Sequence, residues 1–161
     1  GAMESVKPGA TKSEVDKTIS GILGEGLVKL GFIKDKKDHR MFTLHGYGHW
    51  IGLEVHDVGA YTKNGQPIKL KPGMVFTIEP GIYVRPDVFD KMKEREYTED
   101  EIARIRPKVE KYMNIGVRIE DDVLVTQTGY KNLSAAVPRE IDAVEKLMKQ
   151  QGLGNLVHAS N

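Results

Sequence analysis

The sequence predicts an α+β domain, and two kinds of hydrophobic pattern predict it. Apolar residues recur at helical intervals after Thr11 and again after Pro138. Between these segments, the runs 74–84 and 116–126 are rich in β-branched residues, which is typical of strands. A chain of 161 residues is the size of one domain and can bury a hydrophobic core. We therefore expect a single domain of helices and strands.

The first predicted helix runs from residue 12 to residue 30. Thr11 and Glu14 have the spacing of a capping box, and Gly31 is placed to end the helix. The apolar positions at helical spacing are Val15, Ile19, Ile22, Leu23, Leu27 and Leu30.

The residues after the first helix are predicted to have mostly irregular backbone. A charged loop at 34–40 precedes the stretch 41–61, whose glycines and β-branched residues suggest irregular backbone that leads into a short strand. Lys71, Pro72 and Gly73 predict a turn before the strand 74–84. Pro80 and Gly81 should interrupt or bend that strand.

Residues 85–113 are highly charged, and we expect them to form a surface insertion. Thr98 and Glu101 form a second predicted capping box, whereas Pro107 should break or kink any long helix there.

Polar and apolar side chains alternate at the start of the predicted strand 116–126. Arg118 and Glu120 should point to one face, and Val117 and Ile119 should point to the core on the other. Pro138 then opens a final helix. Its apolar stripe is Ile141, Val144, Leu147 and Met148.

The predicted organisation has three parts. Residues 1–3 resemble the remnant of an expression tag, residues 4–151 form the domain, and residues 152–161 form a flexible tail.

The 24 basic and 23 acidic residues nearly balance, which gives no indication of nucleic-acid binding. No apolar run approaches the roughly 20 residues that span a bilayer, so we expect a protein that does not bind membranes. The absence of cysteine excludes disulfides and thiolate ligands and suits a cytoplasmic location.

Three of the five histidines lie close together in the sequence. His45, His49 and His56 fall within a stretch that also holds several glycines, which let side chains approach a ligand closely. Neutral imidazole is a common ligand of first-row metals. The alternative is that each histidine is only a hydrogen-bonded core or surface residue.

Two carboxylates stand out in apolar surroundings. Glu79 ends the first part of the strand 74–84, just before Pro80, and Glu120 lies within the strand 116–126. A buried carboxylate must be paired or bound to a metal, because desolvation otherwise neutralises it. For Glu120 the alternative is a structural ion pair with Arg118 on the same strand face.

The runs HGYGHWIGLEVHDVG, PGMVFTIEPGIY and GVRIEDDVLVT together resemble the three active-site motifs of the pita-bread metallopeptidases, most of all aminopeptidase P and prolidase. Trp50 after the central histidine and the NLS run at 132–134 favour aminopeptidase P. The resemblance implies the second half of a pita-bread fold, an antiparallel sheet with helices on one face. It also implies cleavage of peptides with proline at the second position, with prolidase and a non-catalytic peptide-binding module as alternatives.

The resemblance also implies a role for each site residue. His49, Glu79 and Glu120 would bind metal, and Glu79 would also shuttle a proton. His45 and His56 would line the substrate site. Arg118 would orient the bridging carboxylate Glu120 or close the site around the substrate. Two Mn2+ ions would bind in the intact enzyme, and Co2+ or Zn2+ could substitute for them.

The sequence departs from the family pattern before the first helix. Family members supply two further metal ligands, both aspartates, from strands that precede this helix, and the printed chain has only a few residues there. We therefore expect these 161 residues to be inactive alone and to hold metal weakly or not at all. A half-sheet with an open edge and an uncovered apolar face also predicts a homo-oligomer.

Overall fold

The computed structural model describes residues 1–150 and residue 152, and these residues have the predicted α+β architecture. The α-helices are α1 (Lys12–Leu30), α2 (Val88–Glu94), α3 (Glu99–Val109) and α4 (Ile141–Met148). The strands are β1 (Thr62–Lys63), β2 (Gln66–Pro67), β3 (Val75–Ile78), β4 (Gly81–Tyr83), β5 (Gly116–Arg118), β6 (Asp121–Val125) and β7 (Tyr130–Asn132). Short 3-10 helices cover Ala2–Ser5, Lys36–Phe42 and Glu110–Tyr112.

Helix α1 begins and ends as predicted. The Thr11 hydroxyl accepts a hydrogen bond from the Glu14 amide at 3.2 Å, and the Glu14 carboxylate accepts one from the Thr11 amide at 2.6 Å. Gly31 ends the helix in the left-handed conformation at φ 69°. Of the predicted stripe, Val15, Ile19 and Leu27 are buried, whereas Ile22 and Leu30 remain exposed.

The main sheet has the strand order β3-β6-β7, and every pairing in it is antiparallel. Ile78 pairs with Asp121 at one end of the β3–β6 ladder, and Val75 pairs with Leu124 at the other. The strand predicted at 74–84 is interrupted at Pro80, as expected. Its second part, β4, pairs with β5 in a separate two-stranded sheet.

The strand predicted at 116–126 is also split, between β5 and β6. The side-chain assignment for its first part was wrong, because Val117 is 59% exposed and Ile119 is 45% exposed. The physical reason is that β5 pairs only with β4. On the Val117 side of this two-stranded sheet, the described elements leave an open groove, so Val117 is only partly covered.

The interpretation of residues 85–113 as a surface insertion was also wrong. Helices α2 and α3 bury one apolar face each against the 3-10 helix 36–42 and the end of α1, which completes a second hydrophobic core. This core contains Leu27, Phe32, Ile33, Met41, Phe42, Val84, Val88, Phe89, Met92, Tyr97, Ile102 and Val109. The charged residues that suggested an insertion lie on the outer faces of these helices.

The second capping box was predicted correctly, and the effect of Pro107 was not. The Thr98 hydroxyl accepts from the Glu101 amide at 3.2 Å. Helix α3 continues through Pro107 to Val109. Because Pro107 lies in the last turn, its missing amide removes only one hydrogen bond near the helix end.

The first core lies between α1 and the main sheet. It contains Val6, Val15, Ile19, Tyr47, Trp50, Leu70, Phe76, Ile78, Val123 and Val125. Ala2 and Met3, which were predicted to be a tag remnant, pack against this core.

Helix α4 forms where predicted, but its apolar stripe is exposed rather than buried. Ile141 is 76% exposed, and Met148 is 79% exposed. The tail predicted at 152–161 lies outside the described residues apart from Gly152. None of the helices in the described part of the chain is both long and apolar enough to cross a membrane.

Candidate metal centre

The segment 47–51 lies beside β3 and brings His49 to the edge of the main sheet. The Thr77 amide donates to the His49 carbonyl at 2.9 Å, and the Glu79 amide donates to the Tyr47 carbonyl at 3.0 Å. Gly48 allows this approach, because a Cβ atom there would lie 1.8 Å from the Thr77 carbonyl oxygen. The glycine therefore sets the distance between the His49 segment and the strand that leads to Glu79.

The three predicted metal ligands meet at this edge. Donor atoms of His49, Glu79 and Glu120 all lie within 4.8 Å of one another. The His49 Nε2 atom is 3.5 Å from Glu79 Oε1. The sheet explains the meeting: Ile78 and Asp121 are the last paired residues of β3 and β6, so Glu79 and Glu120 come directly after and before that pair.

His49 is held in the tautomer that metal binding requires. Its Nδ1 atom is 3.1 Å from the Trp50 carbonyl oxygen. Because a carbonyl only accepts hydrogen bonds, we assign the ring proton to Nδ1. The Nε2 lone pair then faces Glu79 and is available to a metal ion.

Glu79 is a buried carboxylate with partners for both oxygens. It is 7% exposed. The Thr77 hydroxyl donates to Oε1 at 3.0 Å, and Arg118 Nη1 lies 3.5 Å from Oε2. The sequence reasoning missed Thr77, although its position two residues before Glu79 on one strand places both side chains on the same face.

Arg118 lies between the two carboxylates. Its Nε atom is 3.5 Å from Glu120 Oε2, and its Nη1 atom approaches Glu79. The ion pair considered as an alternative for Glu120 is therefore present. It coexists with the cluster of ligand atoms, so the two interpretations do not exclude each other.

His45 stands beside Glu79 and contacts an unpredicted residue, Tyr83. His45 Nδ1 lies 2.5 Å from the Gly46 carbonyl oxygen, which assigns the proton to Nδ1. Its Nε2 atom then accepts a hydrogen bond from the Tyr83 hydroxyl at 2.8 Å. The sequence signal for Tyr83 was weak, because a tyrosine in a strand is ordinary core or surface composition.

His56 reaches the site from the exposed loop that follows Trp50. Its ring packs edge-on against the His49 ring, with 4.2 Å between the centroids. The structure thus brings all six predicted site residues into one neighbourhood.

The donor set fits a divalent cation. One imidazole and two carboxylates offer hard oxygen atoms and a single borderline nitrogen, a combination that suits Mn2+ and tolerates Co2+ or Zn2+. The second nitrogen of His49 and the Glu79 oxygens are held by neighbouring groups, as in orientated metal ligands. These residues can therefore hold a metal ion, and nearby polar side chains can contact a substrate.

An apolar groove lies elsewhere on the described part of the chain. It is lined by Leu30, Phe32, Ile82, Val84, Lys108, Lys111, Tyr112, Ile115 and Val117, and it contains none of the three metal-ligand candidates. Val117 and Arg118 point to opposite sides of β5, so the groove opens away from the metal centre.

Comparisons with known proteins identify the family of the chain. Residues 1–127 match the model of metallopeptidase family M24. The Xaa-Pro aminopeptidase of Escherichia coli is 41% identical over 149 residues, which are 88% of this chain and 30% of that protein. A solved aminopeptidase of Pseudomonas aeruginosa has a TM-score of 0.73 at 36% identity, and covers 91% of this chain and 31% of its own.

A structure of Escherichia coli aminopeptidase P with the inhibitor Pro-Leu has a TM-score of 0.70 at 39% identity, again over 91% of this chain and 31% of that one. The chain thus spans about 30% of the length of these relatives. The fold is that of the second half of a pita-bread domain. Given the family match over most of its length, the chain belongs to metallopeptidase family M24.

Proposed function

We propose that this chain supplies three metal ligands and the surrounding substrate contacts of an Xaa-Pro aminopeptidase. The observation that carries the proposal is the convergence of His49, Glu79 and Glu120 donor atoms within 4.8 Å. Relatives with this name, and one that binds the inhibitor Pro-Leu, support the choice of substrate. The substrate class is therefore peptides with proline at the second position.

A bound divalent cation supplies an acidified water and polarisation of the scissile carbonyl. The chain's own residues do the rest. Glu79 has a hydrogen-bond donor on one oxygen and a guanidinium on the other. This arrangement fixes the carboxylate so that it can move a proton toward the leaving nitrogen.

The remaining residues contact the peptide. His45 is orientated by Tyr83, and His56 by its packing against His49. Both rings lie beside the metal ligands. His56 can donate to a peptide carbonyl, whereas both nitrogens of His45 are engaged by Gly46 and Tyr83, so this ring shapes the substrate site. Arg118 holds Glu79 and Glu120 in fixed positions relative to each other.

Manganese is the proposed metal, because two carboxylates and one imidazole favour a hard cation. Three donors hold one ion. A second ion needs further carboxylates, which the family resemblance places in two aspartates outside the printed chain. We therefore expect the 161 residues alone to bind one ion and to show no peptidase activity.

The test is a comparison of two glutamate variants. In a protein of the relatives' full length that contains this chain, Glu79→Gln should lower the rate on a peptide with proline second by about a hundredfold or more, the usual size of a lost proton-transfer group. Glu54→Gln is the matched control, because Glu54 is exposed on the loop after Trp50. Equal rates for wild type and Glu79→Gln, measured with manganese present, would exclude the proposed role. A dipeptide ending in proline, tested beside the longer peptide, distinguishes prolidase from aminopeptidase P.

Self-association is also proposed for the isolated chain. Four apolar side chains that line one groove, Leu30, Tyr112, Ile115 and Val117, are 49–59% exposed. A second copy would cover this groove, and exposed apolar patches of this kind mark interfaces. Sedimentation analysis should give a dimer or larger species for wild type and a monomer for Val117→Lys. A monomeric wild-type chain would contradict the proposed self-association.

A cytoplasmic location stays a prediction from the cysteine-free composition.

A further inference from the structure

Asp121 is a buried carboxylate next to Glu120, and no step above uses it. It is 7% exposed and opens strand β6. Its Oδ1 atom accepts hydrogen bonds from Asn132 Nδ2 and Ser134 Oγ, each at 2.8 Å, and its Oδ2 atom accepts one from the Arg139 guanidinium. The guanidinium alone would compensate the charge of the buried carboxylate, so the two neutral donors are additional contacts.

The three donors come from the last paired residue of the β6–β7 ladder, Asn132, and from the segment that follows it. The ladder ends where Val123 pairs with Asn132, so regular pairing does not reach Asp121 from that side. Instead, the Asp122 amide donates to Ser134 Oγ at 3.0 Å, and the Leu133 amide donates to the Asp122 carbonyl at 2.8 Å. Four side-chain hydrogen bonds and one backbone bond therefore fasten residues 132–139 to the start of β6, beyond the last regular pair of the ladder.

The position of Glu120 depends on this attachment. Glu120 precedes Asp121 directly, and its own side chain is 38% exposed. Among the described residues, its salt-bridge partner is Arg118, at 3.5 Å. On the other strand, Ile78 pairs with Asp121 immediately before Glu79. The residue that anchors the start of β6 thus fixes the separation of the two metal-ligating carboxylates.

We propose that Asp121 is a positioning residue of the metal centre, which holds Glu120 opposite Glu79 through its bonds to Asn132, Ser134 and Arg139. The proposal rests on the metal site proposed above. Residues that orientate metal ligands typically change metal affinity by 10- to 100-fold when they are replaced. Asp121 acts through the backbone of Glu120 and does not contact the metal itself.

The test compares two neighbouring aspartates. Asp121→Asn keeps the size of the side chain but cannot accept from all three donors, whereas Asp122→Asn changes a carboxylate of the same strand that makes no such bonds. The dissociation constant for Mn2+ is measured by electron paramagnetic resonance of the free ion. Circular dichroism at the same temperature confirms that each variant is folded.

We expect Asp121→Asn to raise the Mn2+ dissociation constant at least ten-fold and Asp122→Asn to change it less than two-fold. A folded Asp121→Asn variant with wild-type affinity would overturn the proposal. If Asp121→Asn does not fold, Arg139→Gln and Ser134→Ala each remove one donor and should each weaken binding by a smaller factor. Unchanged affinity in both of these variants overturns the proposal equally.

A metal-free readout separates this proposal from the metal site itself. In a crystal structure of Asp121→Asn, or of Arg139→Gln, the Glu120 carboxylate should be displaced by more than ~0.5 Å relative to Glu79, beyond the tolerance of a preorganised site. A wild-type chain without any Mn2+ binding would refute the proposed metal site. The same carboxylate separation in wild type and variant would refute the role of Asp121, whatever the metal binding.

Discussion

Gly48→Ala is expected to separate the His49 segment from strand β3. The new Cβ atom would lie 1.8 Å from the Thr77 carbonyl oxygen and 2.8 Å from its carbon. Both are backbone atoms, so no side-chain rotation relieves the contact. The segment 47–51 must therefore move away from β3, and His49 moves with it.

The cost follows from the contacts that are lost. Two backbone hydrogen bonds, from Thr77 to His49 and from Glu79 to Tyr47, contribute about 1 kcal/mol each. Overpacking destabilises the folded state by a further amount of about 1–3 kcal/mol. Alanine also reduces the conformational freedom of the unfolded chain, which offsets about 0.4–1 kcal/mol of this loss. The free energy of unfolding should fall by about 2–4 kcal/mol. At an m-value of about 2 kcal/mol/M, the urea midpoint should fall by roughly 1–2 M.

Urea unfolding followed by circular dichroism measures this shift. Gly46→Ala is the matched control, because a Cβ atom at Gly46 meets no atom within 4 Å and the residue does not have a positive φ. The control should leave the midpoint unchanged or raise it slightly. Equal midpoints for the two variants would refute the argument that close approach at Gly48 positions His49.

Two further predictions concern the core that α2 and α3 complete. Burial lowers the pKa of His39, so the unfolded chain binds a proton at higher pH than the folded one. Stability should therefore fall as the pH drops below about 6.5, the pKa of an unperturbed histidine, and His39→Gln should flatten this part of a urea-midpoint-against-pH curve. Tyr97→Phe should lower the free energy of unfolding by about 1–3 kcal/mol, because the hydroxyl donates to the buried Asp38 carboxylate at 2.7 Å and accepts from the Lys34 amide at 3.0 Å. Tyr112→Phe, at an exposed ring, should have little effect, and equal losses for the two tyrosines would contradict this reading of Tyr97.

The parts of the fold that local sequence determines were predictable. The capping boxes at Thr11 and Thr98 and the left-handed Gly31 each depend on residues within one or two turns of helix. Pro80 interrupts its strand for an equally local reason, since proline cannot donate to a ladder. The ligand set was predicted from the resemblance to the pita-bread metallopeptidases. The residues themselves indicated only that an isolated glutamate among apolar residues needs a compensating partner.

The incorrect assignments depend on what packs against each element. Charge density at 85–113 indicated a surface segment, but one apolar face on each of α2 and α3 was sufficient to bury Phe89 and Ile102 in a core. The alternation of polar and apolar side chains predicted the two faces of β5 correctly. It did not show that the Val117 face is left partly open to solvent in the described residues. Tyr83 and Asp121 were missed because their partners lie 38 positions away for Tyr83 and 11–18 positions away for Asp121, and sequence spacing does not show such pairs.

Binding of Mn2+ to the 161-residue chain tests the central claim most directly. Electron paramagnetic resonance of the free ion should show one ion bound per chain, weakened at least ten-fold by His49→Ala and by Glu79→Gln and unchanged by the control Glu54→Gln. In the cluster of His49, Glu79 and Glu120 atoms that lie within 4.8 Å of one another, His49→Ala removes a ligand atom and Glu79→Gln replaces a carboxylate by a neutral, weaker amide ligand. A wild-type chain that binds no Mn2+, or ligand variants that bind it as tightly as wild type, would contradict the account.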